Sequence, residues 1–196
     1  MMRKKDPLRQ YKEKRTFSKT PEPEGKKTTT TSKKPIFVIQ KHDATSLHYD
    51  VRLEIDGVLK SWAVPKGPSM DPDVKHLAIE TEDHPIEYAE FEGVIPQGQY
   101  GAGPVMIWDF GTYTNLRDDM TMAKSYADGK IEVWLDGQKL QGGFVLIQTK
   151  LGGNKKNWLL KKIDDTAADA RRNPVSTEPN SAKTGRSMKQ IINVGG

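Results

Sequence analysis

From Leu47 to Ile55 the sequence alternates strictly between apolar and polar residues. Successive side chains of a β-strand point to opposite faces, so a period of two predicts a strand with one face in a core. The apolar positions are Leu47, Tyr49, Val51, Leu53 and Ile55, and the intervening positions are His48, Asp50, Arg52 and Glu54. The pattern therefore predicts a β-sheet protein in which one strand carries a row of ionisable side chains on its second face.

A second histidine, His42, precedes this strand across the short turn-like run at residues 43–46. If the chain folds back there, two imidazoles and the carboxylate of Asp50 form a ligand set that suits Mn²⁺, Fe²⁺ or Zn²⁺ and leaves positions open for water or substrate. Arg52 adds a planar fork of donors that is shaped to hold a phosphate or a carboxylate. Solvated polar faces are also common on antiparallel sheets, so the row alone leaves both interpretations open.

Several other short stretches predict strands, and turn residues separate them. Asp56-Gly57 is a strong signal for a two-residue hairpin turn between the alternating strand and a strand over Val58–Val64. The remaining strands are predicted over residues 36–40, 74–82, 105–108, 110–114, 130–135, 143–150 and 157–163. At least eight short strands at close spacing favour a barrel or a sandwich.

A glycine-rich stretch, residues 92–103, superficially resembles a nucleotide-binding loop. A predicted strand follows it instead of a helix, which argues against both the Rossmann and the P-loop motifs. We expect tight turns between strands in this stretch, at Gly98, Gly101 and Gly103.

The composition excludes several classes of protein. The chain contains no cysteine, which rules out a disulfide scaffold, a cysteine-ligated zinc and a thiol nucleophile. Its net charge of +5 favours an anionic partner such as nucleic acid. The sequence has no apolar run of about 18 residues, and its charged N-terminus has no apolar segment behind it. We expect a soluble, cytoplasmic, nucleoid-associated protein that does not act at a membrane.

The composition also divides the chain into four regions. Residues 1–25 form a charged, proline-containing arm, in which a short helix is predicted after Asp6-Pro7, although composition alone equally allows a disordered basic arm. The low-complexity residues 26–34 predict a linker loop. Residues 35–163 hold the strands and a helix near 121–127. Residues 164–196 are expected to form a helix over 165–172 and a tail, either docked or disordered.

Five motifs resemble one known family. They are FVIQKH (37–42), HYDVR (48–52), WAVPKG (62–67), DHPIEY (83–88) and FEGVIP (91–96). Together they are similar to the 3′-phosphoesterase domain of bacterial DNA ligase D, here as a free-standing protein. The resemblance runs from roughly residue 8 to residue 163, about four-fifths of the chain.

The resemblance implies a compact β-barrel of about eight short strands flanked by a few short helices. It also implies healing of DNA 3′ ends for non-homologous end joining, with Mn²⁺ as the cofactor and Zn²⁺ or Co²⁺ as alternatives. Such an enzyme removes a 3′-terminal ribonucleoside and then the 3′-phosphate, which leaves a 3′-hydroxyl. The implied partners are DNA primer-template 3′ ends carrying a ribonucleotide or a 3′-phosphate, together with a separate ATP-dependent DNA ligase, a polymerase or Ku.

The resemblance also assigns roles to particular residues. The metal ligands would be His42, His48 and Asp50, the catalytic residues His84, Arg52, Arg15 and Glu22, and the substrate-binding residues Arg52, His84, Gln40, Lys66 and Tyr88. A functional Arg15 and Glu22 require that the arm is ordered across the barrel. The family usually has an acid after the arginine of the arm, whereas this chain has Thr16.

Two alternative functions stay open on the sequence. An Fe(II)/2-oxoglutarate oxygenase would use His48, Asp50 and His84 as a facial triad. A non-catalytic nucleic-acid-binding barrel would use Trp62, Tyr88 and Trp108 as stacking surfaces. The Lys-x-Asp-Gly motif of DNA ligases is absent from the sequence, so we expect no ligase activity in this chain.

Overall fold

A computed structural model of the 196-residue chain describes residues 6–25, 34–149 and 151–194. Most of the predicted linker, residues 26–33, lies outside the described residues, as do the first five residues of the arm. The described chain folds mainly into β-structure with a few short helices.

Eight antiparallel strands close into a barrel. The described residues form nine strands in all, β1 (Ile36–Asp43), β2 (Leu47–Ile55), β3 (Val58–Val64), β4 (Lys75–Glu80), β5 (Gly93–Ile95), β6 (Gly103–Asn115), β7 (Lys130–Gly137), β8 (Gln141–Gln148) and β9 (Asn157–Lys162), and β5 is the one that lies outside the closed ring. Their order is β1-β2-β3-β4-β9-β8-β7-β6, and β6 pairs back onto β1. β5 adds to the edge of β6 beside this ring. The predicted mainly-β barrel is therefore confirmed.

Strand β6 combines two strands that the sequence predicts separately over 105–108 and 110–114. The residue between them, Asp109, is completely buried, and its carboxylate accepts the backbone N–H groups of Phe110, Gln138, Lys139 and Leu140. The β1–β6 register shifts opposite this point, between Ile39 and Gln40. Because these hydrogen bonds satisfy the buried carboxylate and the backbone N–H groups of the turn at residues 138–140, the strand continues through this polar residue.

The apolar face of β2 fills the barrel as predicted, with one exception. Tyr49, Val51, Leu53 and Ile55 are buried in the main core together with three tryptophans. Leu47 is 45% exposed, so its assignment to the core is wrong. Leu47 pairs with Asp43 where the hairpin begins, at the rim of the barrel.

The second face of β2 is covered and not solvated. A smaller apolar cluster lies outside the barrel and includes Tyr11, Val38, Leu59, Tyr88 and Phe91. The arm contributes helix α1 (Arg9–Glu13), in which Tyr11 is completely buried and its hydroxyl donates to the carbonyl of Pro23 at 2.6 Å. Residues 6–25 are therefore ordered against the barrel, and the alternative of a disordered arm does not hold for them.

The C-terminal region differs from the prediction. The helix expected over residues 165–172 does not form, because Asp165 instead ties turns to the barrel by accepting from the backbone of Gly143 and from the Lys162 ammonium, both at 2.6 Å. The helices lie elsewhere, at α2 (Met122–Ala127), α3 (Pro174–Thr177) and α4 (Met188–Val194). None of the helices in the described part of the chain is long and apolar enough to cross a membrane.

The tail, which the sequence leaves either docked or disordered, docks beside β5 and β6. The carboxylate of Glu92 accepts hydrogen bonds from Ser181, Thr184 and Arg186. Helix α4 follows, and its residue Ile191 is buried against the main core.

Two adjacent isoleucines of α4 provide a matched test of this docking. Ile191 is 2% exposed and Ile192 is 45% exposed. We expect Ile191→Ala to lower the free energy of unfolding by about 2–4 kcal/mol, because it removes buried methylene groups and leaves a cavity. Ile192→Ala is expected to change it by less than about 0.5 kcal/mol. Urea denaturation of both variants measures the difference, and equal values would show that the helix is not packed on the barrel.

Candidate active site

A cavity of about 400 Å³ lies between the polar face of β2, the arm and the loop that joins β5 to β6. Its lining residues are Arg15, His42, Ala44, Thr45, Ser46, His48, Asp50, Arg52, Ala63, Thr81, Glu82, His84, Tyr88, Ile95, Tyr100 and Gly101. Most of the residues that the sequence singled out therefore line one cavity.

His42, His48 and Asp50 form a cluster that could hold a metal ion. One ligand atom of each lies within 4.8 Å of the others. His42 and His48 are directly paired across the β1–β2 ladder, with ring centroids 4.9 Å apart, and Asp50 follows on the same face of β2. The hairpin thus brings His42 back beside His48, as the sequence predicts.

Backbone carbonyls select the tautomers of both histidines. His42 Nε2 lies 2.7 Å from the carbonyl oxygen of Gly101, and His48 Nδ1 lies 2.9 Å from that of Ser46. A carbonyl only accepts, so these two nitrogens carry the protons. The opposite nitrogens, His42 Nδ1 and His48 Nε2, face the Asp50 carboxylate at 3.5 Å each. Imidazoles whose second ring nitrogen is held by a hydrogen-bond partner in this way are typical of metal ligands, so the donor set fits a divalent ion.

The guanidinium of Arg52 connects this cluster to the rest of the cavity. Its Nη2 donates to Asp50 at 3.1 Å, its Nε donates to Gln40 at 2.7 Å, and its Nη1 lies 3.0 Å from His84 Nδ1. Burial raises the pKa of Asp50, but Arg52 and the two imidazoles outweigh that effect and hold the pKa well below its usual range. Asp50 is therefore ionised and available to a cation.

Gln40 supports Arg52 from behind the cavity. Its side-chain nitrogen donates to the carbonyls of Tyr88 and Phe91 at 2.9 Å each, and its oxygen accepts from Arg52. Gln40 is completely buried and does not line the cavity. Its position fits a residue that orients Arg52 more closely than one that contacts substrate.

His84 lies between two guanidinium groups. Besides Arg52 at Nδ1, Arg15 Nη2 lies 3.4 Å from its Nε2. The His84 backbone pairs with Leu59 in an isolated bridge, which fixes the residue at the edge of β3. Burial, followed by the charges of Arg52 and Arg15, holds the pKa of His84 well below its ordinary value, so the imidazole is neutral.

Two buried acids hold Arg15 in place, Glu22 of the arm and Glu82 from the segment after β4. Arg15 Nε donates to Glu22 at 2.9 Å and Nη1 donates to Glu82 at 3.3 Å. The hydroxyl of Tyr88 donates to the same Glu22 oxygen at 3.0 Å. Glu22 is 4% exposed and lies behind the cavity lining, and its carboxylate accepts hydrogen bonds from Arg15, Tyr88 and Thr20.

Two residues of interest lie away from the cavity lining. Lys66 is exposed on the turn that follows β3. Thr16, the departure from the family pattern, is exposed next to Arg15 and also does not line the cavity.

Sequence reasoning missed Glu82, Tyr100 and the backbone carbonyls of Ser46 and Gly101. The signals for the first two were present, because Glu82 is close to His84 and Tyr100 lies within the glycine-rich stretch. Nothing in a sequence pattern identifies the two carbonyls.

The structure does not support the two alternative functions. The metal-ligand cluster among the described residues is His42, His48 and Asp50, whereas the imidazole of His84 faces Arg52 and Arg15. His84 is therefore not the third ligand of an oxygenase triad. The expected stacking surfaces are wrong as well, because Trp62, Tyr88 and Trp108 are 0%, 2% and 0% exposed.

Comparisons with known proteins agree with this geometry. The sequence profile of the DNA Ligase D 3′-phosphoesterase domain matches residues 40–148. The multifunctional non-homologous end joining protein LigD of Pseudomonas aeruginosa is 52% identical over 163 residues, which are 83% of this chain and 19% of that protein. The corresponding LigD proteins of Mycobacterium tuberculosis and Mycolicibacterium smegmatis are 48% and 47% identical, covering 81% and 82% of this chain and 20% and 21% of theirs. The chain spans about a fifth of the length of these relatives.

If His42, His48 and Asp50 bind a metal ion, the affinity of the protein for that ion should depend on pH. Burial lowers the pKa of His48, but Asp50 and the Ser46 carbonyl outweigh it and raise the pKa above its ordinary value. A metal ion must displace that proton, so the affinity for Mn²⁺ is expected to fall by up to about tenfold per pH unit once the pH drops below this pKa. Isothermal titration calorimetry over a pH series, in buffers of different ionisation enthalpy, measures affinity and proton release together. An affinity independent of pH would contradict the assignment.

Proposed function

The chain belongs to the DNA ligase D 3′-phosphoesterase family, and on that basis we propose that it is a hydrolase that heals DNA 3′ ends. Its substrates would be primer-template ends that carry a terminal ribonucleotide or a 3′-phosphate. The phosphodiesterase step releases the ribonucleoside, and the phosphomonoesterase step then releases phosphate and leaves a 3′-hydroxyl. The names of the relatives are those of non-homologous end joining proteins, and we propose that a separate ATP-dependent ligase, a polymerase or Ku acts with this chain.

One observation carries this proposal. A cluster that could hold a metal ion lies directly beside a guanidinium and a neutral imidazole in one cavity, with 3.1 Å between Arg52 and Asp50 and 3.0 Å between Arg52 and His84. The non-bridging oxygens of a phosphate ester carry negative charge, and positively charged groups beside them stabilise that charge as the bond to phosphorus breaks. The cavity offers that charge from two sides.

The ion would be held by His42 Nδ1, His48 Nε2 and the Asp50 carboxylate. We propose Mn²⁺, and the same two-imidazole, one-carboxylate set also suits Zn²⁺ or Co²⁺. A divalent ion at this position supplies Lewis-acid polarisation of the phosphate.

Arg52 and Arg15 would bind the phosphate oxygens and stabilise their charge. Each is already oriented by buried partners, Gln40 and Asp50 for Arg52, and Glu22 for Arg15, so little reorganisation is needed when substrate binds. We propose that Gln40, Glu22 and Tyr88 act through these guanidiniums. Lys66, exposed after β3, is proposed to contact the DNA.

His84 would hold the phosphate as a neutral donor. Its depressed pKa disfavours the imidazolium form that a general acid requires. The negative charge of a bound phosphate would offset the two neighbouring guanidiniums and ease a later proton transfer to the leaving oxygen.

Removal of one metal ligand should weaken metal binding and slow the reaction without unfolding the protein. We expect His48→Ala to lower both Mn²⁺ affinity and the rate of 3′-ribonucleotide removal by at least ~10-fold, the size of effect that is typical even for groups that only hydrogen-bond to a metal ligand. A chelator should stop the wild-type reaction. Gel analysis of a 5′-labelled primer ending in one ribonucleotide, with and without Mn²⁺, measures this.

The control is His76→Ala, because His76 lies on β4, where its ring faces the Gly67 carbonyl at 2.6 Å, and does not line the cavity. That variant should retain wild-type metal affinity and activity. Wild-type cleavage by His48→Ala, or full activity in chelator, would refute the metal assignment.

A further inference from the structure

Tyr100 is an exposed aromatic residue in the active-site cavity, and the phosphate chemistry above does not use it. The residue lines the cavity and is nevertheless 49% exposed. It lies on the loop between β5 and β6, directly before Gly101, whose carbonyl oxygen faces His42. The loop that orients one metal ligand therefore also places an aromatic ring beside the reaction centre.

The arm fixes the position of this ring. Lys14 Nζ lies 4.4 Å from the centroid of the Tyr100 ring and donates to its hydroxyl at 3.2 Å. The guanidinium of Arg15 lies 5.7 Å from the same centroid. A cation against an aromatic ring restrains the side chain, so the exposed surface of Tyr100 is presented to the cavity in one orientation.

The charges around Tyr100 are balanced. Lys14 donates to Glu82 at 2.9 Å, and Arg15 donates to Glu22 at 2.9 Å, so two cations meet two carboxylates whose side chains are 3% and 0% exposed. The polyanionic strand of DNA favours surfaces with net positive charge, whereas an uncharged nucleoside gains from stacking on an aromatic ring. This wall of the cavity therefore suits a nucleoside better than a chain of phosphates.

We propose that Tyr100 is the binding subsite for the leaving nucleoside and stacks on the base of the 3′-terminal ribonucleotide. The proposal rests on the proposed function. In the phosphodiesterase step a bond forms between phosphorus and a water oxygen, the bond from phosphorus to O5′ of the terminal ribonucleoside breaks, and O5′ takes a proton. The phosphomonoesterase step has no departing nucleoside. Tyr100 therefore contributes to the first step and not to the second.

The two steps provide the test. For Tyr100→Ala we expect kcat/KM on a primer ending in one ribonucleotide to fall by roughly 5- to 100-fold, the loss expected from one base–aromatic stack. On the same primer ending in a 3′-phosphate, kcat/KM should stay at the wild-type value. A third primer, ending in a ribose that lacks its base, should be cleaved equally by wild type and variant.

Three controls separate stacking from damage to the loop. Tyr100→Phe keeps the ring and should retain diesterase activity. Trp134→Ala removes another partly exposed aromatic residue, 38% exposed on β7, and should change neither activity. Calorimetric Mn²⁺ affinity of Tyr100→Ala should equal that of wild type, because the Gly101 carbonyl is still in place.

Other outcomes overturn the inference. An equal loss on the ribonucleotide and 3′-phosphate primers would place Tyr100 against the shared phosphate or the upstream strand, and the absence of any loss would exclude contact with the nucleoside. A loss that persists on the primer lacking the terminal base would exclude stacking. If the wild-type protein cleaves none of these primers with Mn²⁺, the proposed function itself fails, and the subsite fails with it.

Discussion

The rest of the site depends on the hydrogen bonds that the buried guanidinium of Arg52 makes. Its side chain is 3% exposed, and burial of a charge costs several kcal/mol unless partners satisfy it. Its hydrogen bonds go to Gln40 on β1 and Asp50 on β2, and a further nitrogen meets His84 at the edge of β3. One side chain therefore requires the register of three strands to be correct. The arm adds Tyr11 and Arg15, which contact the ring of His84.

The same charges support the proposal that the site binds a divalent ion and a phosphate. Lys14, Arg15 and Arg52 carry three positive charges, and Asp50, Glu22 and Glu82 carry three negative charges. The network is balanced before any ligand binds. A divalent ion would add two positive charges to this network, and a phosphate would offset them. Metal and substrate are thus expected to favour one another's binding.

Local patterns predict the parts of this arrangement that depend on neighbouring residues in the chain. The alternation of β2 and the hairpin that returns His42 to His48 follow from residues less than ten positions apart. The covered polar face does not, since it depends on packing between the distant arm and Tyr88. The same limit explains the error at 165–172, where Asp165 follows β9 and accepts a hydrogen bond from the backbone of Gly143 on the neighbouring strand β8, in place of the helix that local propensity favours. The prediction for Leu47 is wrong for a simpler reason, because the apolar–polar alternation of the sequence extends beyond the edge of the core.

Anomalous diffraction from crystals grown with Mn²⁺ and phosphate tests the central claim most directly. A manganese peak is expected within coordination distance of His42 Nδ1, His48 Nε2 and the Asp50 carboxylate, with the phosphate in contact with both the ion and Arg52. A manganese peak at any other place, or these side chains separated in solvent with no phosphate between them, would contradict the proposed metal-assisted phosphoesterase.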